Sequence, residues 1–269
     1  MNEQPPADPT PARPPVGSHE LAEQLWHRLD RMERLLDPTV RKPDPEAPAA
    51  EPAWRQQTEG EQRWAAMAAI LTAVVLQLSL PARLTAHPHW LLPALDLLLL
   101  GALFAFNPHR RLDRSSRLLR TLSLSLVAVI SLANGWSAVK LVRELLHGGG
   151  AVNALGLLGT AGAVWATNVI AFALWYWEWD RGGPAARAAG ERDYPDLLFP
   201  QMQTDGVGPA DWEPGFLDYL YVAYTNATAF SPTDTMPLSG WAKLLMMLQS
   251  AISLLTVLLV VARAVNILQ

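Results

Sequence analysis

The chain has 269 residues, of which 50% are hydrophobic and 17% are charged, and its formal net charge is −4. The charged share is well below the about 25% of soluble domains, and the charges lie between long apolar runs, as in membrane proteins. The sequence contains no cysteine, which excludes disulfides, thiol chemistry and cysteine-based metal sites.

The first 63 residues are polar and rich in proline, with 11 of the 22 prolines between Pro5 and Pro52. Low hydrophobicity with dense proline predicts a disordered tail, which limited proteolysis should trim from a resistant core. The tail has no apolar run, so we expect no cleaved signal peptide and expect the first apolar run to direct insertion.

One proline-free island in this tail, residues 18–37, predicts a short helix. Five apolar residues follow the 3-4-3-4 spacing of a coiled-coil seam: Ala22, Leu25, Leu29, Met32 and Leu36. Two heptads are too short to be stable alone. The island is either an amphipathic helix on the membrane or the protein surface, or an oligomerisation helix.

Five apolar runs follow, each near the ~20 residues that a helix needs to cross a ~30 Å hydrocarbon core. They cover residues 64–80, 90–106, 118–141, 153–177 and 241–261. Tryptophans at the ends of the runs suit the membrane interface. The predicted fold is therefore an all-α integral membrane protein, with three transmembrane helices in residues 64–150 and a C-terminal module in residues 151–269.

A polar connection of about 35 residues, 180–214, leads into a short apolar and aromatic segment, residues 215–230. That segment contains Asp218, Thr225, Asn226 and Thr228. These polar residues make it a poor lipid-facing span. We therefore predict a re-entrant helix that neighbouring helices shield from lipid.

The stretch from Phe216 to Leu268 resembles the pore region of tetrameric potassium channels. It reads FLDYLYVAYTNATAFSPTDTMPLSGWAKLL and continues into an apolar helix that ends in VVARAVNIL. In this resemblance Thr228 stands before the selectivity filter, and Asp234 and Pro237 follow it. The chain is also similar to a bacterial family of uncharacterised five-span membrane proteins. The potassium-channel resemblance implies a homo-oligomer, most simply a tetramer, around a pathway for small ions.

The filter sequence itself is replaced. Where the channels carry TVGYG, this chain carries Ala229, Phe230, Ser231, Pro232 and Thr233. A potassium filter is a ring of backbone carbonyls whose backbone angles depend on glycine, whereas Ser231 and Thr233 carry Cβ atoms and Pro232 fixes φ. We therefore expect no potassium selectivity. Any selectivity would come from side chains of the pore-like residues 228–234, including a ring of Asp234 carboxylates.

Two other functions stay open at this point. One is a non-conducting membrane scaffold or partner subunit that keeps the hairpin without a pathway. The other is a transporter that uses Asp96, because an ionisable residue inside an apolar run is costly and usually faces the bundle interior. Asp96 is expected to pair with Arg120, or to form a hydrogen bond with Asn134 or Asn168.

The arginines give conflicting signals about orientation. Arg111, Arg114, Arg117 and Arg120 recur at every third residue, a spacing also seen in voltage sensors, but they are more typical of a cytoplasmic loop. Together with the arginines after the fourth run, they predict a cytoplasmic N-terminus in a multi-pass protein of the cell membrane, here a bacterial plasma membrane. The pore resemblance instead places the loop outside, unless residues 214–230 cross as a sixth span.

The sequence offers no catalytic signature. It contains no Ser-His-Asp set, no glycine-rich phosphate loop and no HExxH motif. His87 and His89 flank a proline and are weak evidence for a metal. We therefore expect no enzyme activity, no cofactor, no metal site and no nucleic-acid partner; the expected partners are the lipid bilayer and further copies of the chain.

Overall fold

A computed structural model describes residues 23, 25–29, 52–106, 117–147, 154–204, 207–228 and 234–268. The chain divides into two compact units, Met1–Ala50 and Glu51–Gln269. In the first unit, the described residues are helical and exposed, including Leu25 and Leu29 of the expected seam. The other seam residues lie outside the described residues. The second unit contains all the elements discussed below.

The second unit is a bundle of helices with one small β-ladder. The longer helices are α1 (Trp64–Ser79), α2 (Leu91–Phe106), α3 (Arg117–His147), α4 (Ala154–Trp179), α7 (Phe216–Thr228) and α8 (Gly240–Leu268). Two short helices, α5 (Pro184–Ala188) and α6 (Pro200–Gln203), lie between α4 and α7. Strands β1 (Leu197–Leu198) and β2 (Met236–Pro237) pair antiparallel, with Leu197 opposite Pro237.

Three helices are long and apolar enough to cross a membrane: α3, α4 and α8. Helices α1 and α2 are equally apolar in character but have 16 residues each, about 24 Å of helix. All five predicted apolar runs are therefore helical over most of their length, and three of these helices are long and apolar enough to suggest a membrane protein.

Two helices extend beyond the predicted runs. Helix α3 continues to His147 rather than ending near residue 141, and α8 continues to Leu268 rather than to residue 261. More than half of the residues in these extensions are Ala, Leu, Arg or Glu, which are good helix formers, and α3 is followed in the sequence by three glycines at 148–150. Apolarity sets where a helix can lie in a membrane, whereas helix-breaking residues set where it ends.

Helix α4 is the centre of the bundle and packs against α1, α3, α7 and α8. Its last half is buried on nearly every side, including Phe172, Leu174 and Tyr176. A helix that is apolar all round is expected at such a central position. Near its start, a Cβ added at Gly159 or Gly162 would meet no other atom within 4 Å. Among the described residues, open space therefore lies beside α4 at these two glycines.

Helices α1 to α4 alternate in direction, which gives the bundle two distinct ends. At one end, here called the loop end, α4 finishes, α7 and α8 begin, and Arg120 near the start of α3 donates to the carbonyl of Gly182. At the other end, here called the far end, Arg83 after α1 forms an ion pair of 3.3 Å with Glu144 of α3. The start of α1 and the start of α8 therefore share the loop end, and α8 runs toward the far end.

Helix α7 runs alongside α4 for only part of its length. It begins at Phe216, whose ring lies 5.8 Å from that of Trp177, and Tyr224 lies 5.9 Å from Trp165. With 13 residues, it is about 20 Å long. The chain is next described at Asp234, and β2 then pairs with β1 at the loop end. The chain thus returns to the end of the bundle where α7 began.

A half-length helix hairpin as the candidate functional site

The candidate site is the hairpin formed by residues 216–239, here called the α7 hairpin. Helix α7 has one buried face, which contains Phe216, Tyr219, Val222 and Ala223 and packs on α4. Its opposite face is exposed and contains Leu217, Tyr221, Tyr224 and Thr228 at helical spacing. The periodicity therefore separates a buried face that anchors the helix from a face that the other described residues leave exposed.

The second half of α7 is held against α8 by amide groups. Asn226 Nδ2 donates to the carbonyl of Met246 and to Gln249 Oε1, both at 2.9 Å. Gln249 Nε2 donates to the carbonyl of Ala223 at 2.7 Å, and Gln249 Oε1 also accepts from the Tyr176 hydroxyl at 2.7 Å. Gln249 is fully buried, so one side chain joins α4, α7 and α8. Sequence reasoning missed it, although a glutamine inside an apolar run was the available signal.

The pore-like residues follow directly. Thr228 is exposed at the last position of α7, and its hydroxyl donates to the carbonyl of Tyr224 at 2.9 Å. Asp234 is also exposed. Ala229, Phe230, Ser231, Pro232 and Thr233 lie outside the described residues. The structure therefore places Thr228 and Asp234, the two ends of the predicted loop, on the α7 hairpin and does not describe the residues between them.

The base of the hairpin is built around a buried carboxylate, Asp180. This group accepts hydrogen bonds from the Tyr219 hydroxyl at 2.6 Å and from the backbone N–H groups of Asp196 and Leu197 at 2.8 and 3.1 Å. Arg187 lies over the Tyr219 ring, with its guanidinium carbon 4.9 Å from the ring centre. One carboxylate thus ties together the end of α4, strand β1 and the first turn of α7.

Two arginines in this region are interior residues. Arg187 Nη1 donates to the carbonyls of Trp177 and Asp180, at 2.6 and 3.0 Å, and Arg181 donates to the carbonyls of Trp54 and Arg192. Arg181 and Arg187 are only 1% and 7% exposed. Both belong to the arginines after the fourth apolar run, which were expected to lie as loop charges on the cytoplasmic side. Their burial shows that they are interior residues, because each guanidinium donates to backbone carbonyls inside the fold.

Glu61 fixes the start of α7. One of its carboxylate oxygens accepts from the backbone N–H of Phe216, and the other accepts from the Trp177 indole at 2.7 Å. A carboxylate at a helix N-terminus is also favoured by the helix dipole. Burial raises the pKa of Glu61 above its ordinary value, although these two hydrogen bonds and the nearby Arg187 act in the opposite direction. Asp218 completes the start by accepting from the N–H of Gly215 at 2.8 Å.

The three predicted intramembrane polar residues are all buried, but they do not form one site. Asn168 Nδ2 donates to Ser253 Oγ at 3.2 Å, and Asn168 and Asn134 line a groove of about 620 Å³ between α3, α4 and α8. Asp96 lies against Gln77 of α1 instead. Its expected pairing with Arg120, Asn134 or Asn168 is wrong. Arg120 binds Gly182 at the loop end, and Asp96 has no hydrogen bond to either asparagine.

Among the described residues, histidine and acidic side chains form no group of three that could hold a metal ion. Comparison of the chain with protein-family models, curated proteins and solved structures found no match in any of the three.

Proposed function

We propose that this chain is the subunit of a channel-like membrane assembly, in which the α7 hairpin re-enters the bilayer and borders a pathway for cations. The observation that carries this proposal is the half-length helix α7. Buried contacts from Glu61 and Asp180 hold its start at the loop end, and β2 returns the chain to the same end. A helix that stops at mid-depth in a bilayer needs a polar or protein-filled space at its tip.

In this proposal α1 and α2 are short spans, so five helices cross the bilayer and the two ends of the second unit lie on opposite sides. The α2–α3 connection, residues 107–116, carries Arg110, Arg111 and Arg114, and Arg117 opens α3 at the loop end. By the positive-inside rule the loop end is cytoplasmic. The hairpin then enters from the cytoplasm, opposite to the orientation in potassium channels.

The proposed assembly is a homo-oligomer, and the resemblance to potassium channels favours a tetramer. The exposed face of α7 ends in the polar residue Thr228, and much of α8 is uncovered, including Leu244, Met247 and Leu258. A hydroxyl-bearing helix tip is unfavourable in lipid, so further copies of the chain are the natural cover. Gly159 and Gly162 have open space beside them, so a helix of another copy could approach α4 closely at these glycines.

The proposed pathway favours cations without selecting potassium. The C-terminal end of α7 carries partial negative charge from its carbonyls and points toward the connection that follows. Thr228 ends α7, and the sequence that follows contributes the hydroxyls of Ser231 and Thr233 and the carboxylate of Asp234. Rings of such side chains are typical of less selective cation pores, whereas carbonyl stacking requires the glycines that this chain lacks.

Reconstitution of the purified protein into liposomes with opposed sodium and potassium gradients tests the proposal. We expect cation currents with little preference between the two ions, and Asp234→Asn should reduce the preference for cations over anions. Asp211→Asn, another exposed aspartate of the loop end, is the matched control and should leave the currents unchanged. A strongly potassium-selective current would refute our interpretation of residues 229–233. Well-folded oligomers without currents would favour a non-conducting scaffold or partner subunit.

The membrane placement has a separate test. Reporters inserted near residue 60 and near residue 210 should lie on the cytoplasmic side, and a reporter after residue 268 should lie on the other side. A C-terminal reporter on the same side as the N-terminal one would contradict five spans with a re-entrant hairpin. It would also remove the main support for a shared pathway.

A further inference from the structure

A cavity lies at the loop end of the bundle, between the first two turns of α1 and α3, the last turns of α2 and the chain that follows α4. Its volume is about 100 Å³. A space of ~10–15 Å³ already holds a water molecule, so this cavity has room for a group of several heavy atoms. Arg120 in its lining is exposed and Arg63 is half-buried, which places the mouth of the cavity at the surface of the loop end.

Two arginines form the charged side of the cavity. Arg63 stands directly before α1, and Arg120 lies in the first turn of α3. Arg63 Nη2 donates to the carbonyl of Leu103 at 3.3 Å, and Arg120 Nη1 donates to the carbonyl of Gly182. A guanidinium has five N–H donors, so it can bind a backbone carbonyl and a phosphate at the same time. Unlike the two interior arginines of the hairpin base, both of these guanidinium groups lie on side chains that reach the surface.

One carboxylate, that of Glu178, lies in the same lining. Glu178 is 5% exposed, and its Oε1 accepts a hydrogen bond from the Ser123 hydroxyl. Among the described lining residues, two arginines thus stand against a single acidic side chain. With all three groups ionised, the lining keeps a net positive charge of one, which is equal and opposite to the charge of a phosphodiester.

The deeper wall of the cavity is apolar. It consists chiefly of Ala66, Met67 and Ile70 from α1 and of Leu100 and Leu103 from α2. Ile70 lies six residues after the start of α1, and Leu100 lies six residues before the end of α2. Both therefore lie about 9 Å below the loop end, at ~1.5 Å per helical residue. Positive charge at the surface and apolar side chains below it match the headgroup and the acyl chain of a membrane lipid.

We propose that this cavity binds one anionic phospholipid, with its phosphate on Arg63 and Arg120 and the first part of an acyl chain against α1 and α2. Basic pockets between membrane helices are typical sites for acidic lipid headgroups. This inference rests on the membrane placement of the loop end proposed above, so the lipid comes from the cytoplasmic leaflet. The site lies outside the α7 hairpin and does not require a conducting pathway.

Thermal unfolding of the purified full-length protein in a mild neutral detergent, with phosphatidylglycerol or phosphatidylcholine added, tests this site. We expect phosphatidylglycerol to raise the melting temperature saturably, because a ligand that binds only the folded state stabilises it by mass action. Phosphatidylcholine, whose headgroup has no net charge, should raise the melting temperature much less. Native mass spectrometry should find one tightly retained phosphatidylglycerol molecule per chain.

Substitution of the arginines locates the site. Arg63→Gln and Arg120→Gln should each weaken the apparent affinity for phosphatidylglycerol several-fold, and the double substitution should abolish the difference between the two lipids. Arg120→Lys keeps the charge if Arg120→Gln does not fold. It should still bind phosphatidylglycerol more weakly than the original protein, because an ammonium cannot bind a phosphate through two parallel N–H groups. Arg117→Gln is the matched control, since Arg117 is exposed one turn earlier on α3 and is not among the residues that line the cavity.

The control should keep the full lipid effect. An equal loss of affinity in Arg117→Gln and Arg120→Gln would overturn the proposal, because general surface charge would then attract the lipid. Equal stabilisation by the two lipids would overturn it as well. Sodium phosphate should leave the melting temperature as it is in sodium chloride of equal ionic strength. A shift with phosphate as large as that with phosphatidylglycerol would refute a lipid site and indicate a site for free phosphate. Asp234→Asn should keep the lipid effect, so failure of the channel proposal and failure of this site are distinguishable.

Discussion

The substitution Tyr219→Phe tests whether the buried base of the hairpin determines stability. Tyr219 is 0% exposed, and its hydroxyl donates to Asp180 Oδ2 at 2.6 Å. Phenylalanine keeps the ring, so no cavity opens and the stacking under Arg187 is retained. A hydrogen bond to a charged group contributes about 1.5–3 kcal/mol net. We therefore expect Tyr219→Phe to lower the free energy of unfolding by about 2 kcal/mol, a middle value in that range.

Equilibrium unfolding in mild detergent measures this change. For a chain of this size, a loss of about 2 kcal/mol corresponds to a fall of roughly 4–8 °C in melting temperature. Tyr221→Phe makes the same chemical change two residues away on the same helix, where the side chain is 59% exposed. That control should stay within about 0.5 kcal/mol of the original protein.

Equal stability of the two variants would refute the reasoning, since it would mean that the Tyr219–Asp180 contact contributes nothing. A double-mutant cycle with Asp180→Asn sharpens the test. Residues in direct contact are expected to show an interaction energy of about 0.5–3 kcal/mol. Strict additivity of the two substitutions would show that they act independently, and the hairpin would then be held by other contacts.

Two further predictions concern the same end of the bundle. Burial raises the pKa of Glu61 in the folded state above 4.5, so its contribution to stability is full below pH 4.5 and is lost as the pH rises through the folded-state pKa. Glu61→Gln should make the free energy of unfolding fall less steeply with rising pH. An unchanged slope of the free energy of unfolding against pH would contradict this prediction. Gly183→Ala should destabilise by about 1–3 kcal/mol, because φ is +97° and the new Cβ would lie 2.9 Å from the carbonyl oxygen of Glu178. Gly101→Ala, which meets no atom within 4 Å, should be neutral or slightly stabilising in the same unfolding assay.

The sequence predicted the helices well because long apolar runs have few other folded forms in a membrane protein. It also predicted that residues 215–230 form a short helix, since Asn226 and Thr228 are poorly suited to lipid. The described helix, Phe216–Thr228, agrees with that prediction. Sequence periodicity could not predict that β2 pairs with β1, because strands of two residues are too short to show an alternating pattern.

The base of the hairpin was largely beyond sequence reasoning. Glu61 binds Trp177 and Phe216, which lie 116 and 155 positions further along the chain. Local composition carries no information about such distant partners. The sequence also predicts Arg181 and Arg187 to be loop charges on the cytoplasmic side, since an arginine in a polar connection is most often exposed. Only the carbonyls that surround them in the fold identify them as interior residues.

The order in which the base of the hairpin can form follows from these separations. Glu61 is synthesised long before Phe216. Its carboxylate therefore has no backbone donor from α7 while the four apolar helices α1 to α4 are being inserted. Asp180 likewise has to wait for the hydroxyl of Tyr219, which is made 39 residues later. The loop end can therefore close only after α7 has been synthesised. Until then the carboxylates of Glu61 and Asp180 lack their partners from α7. The loop end is thus started by residues in the first quarter of the chain and completed by residues in the last quarter.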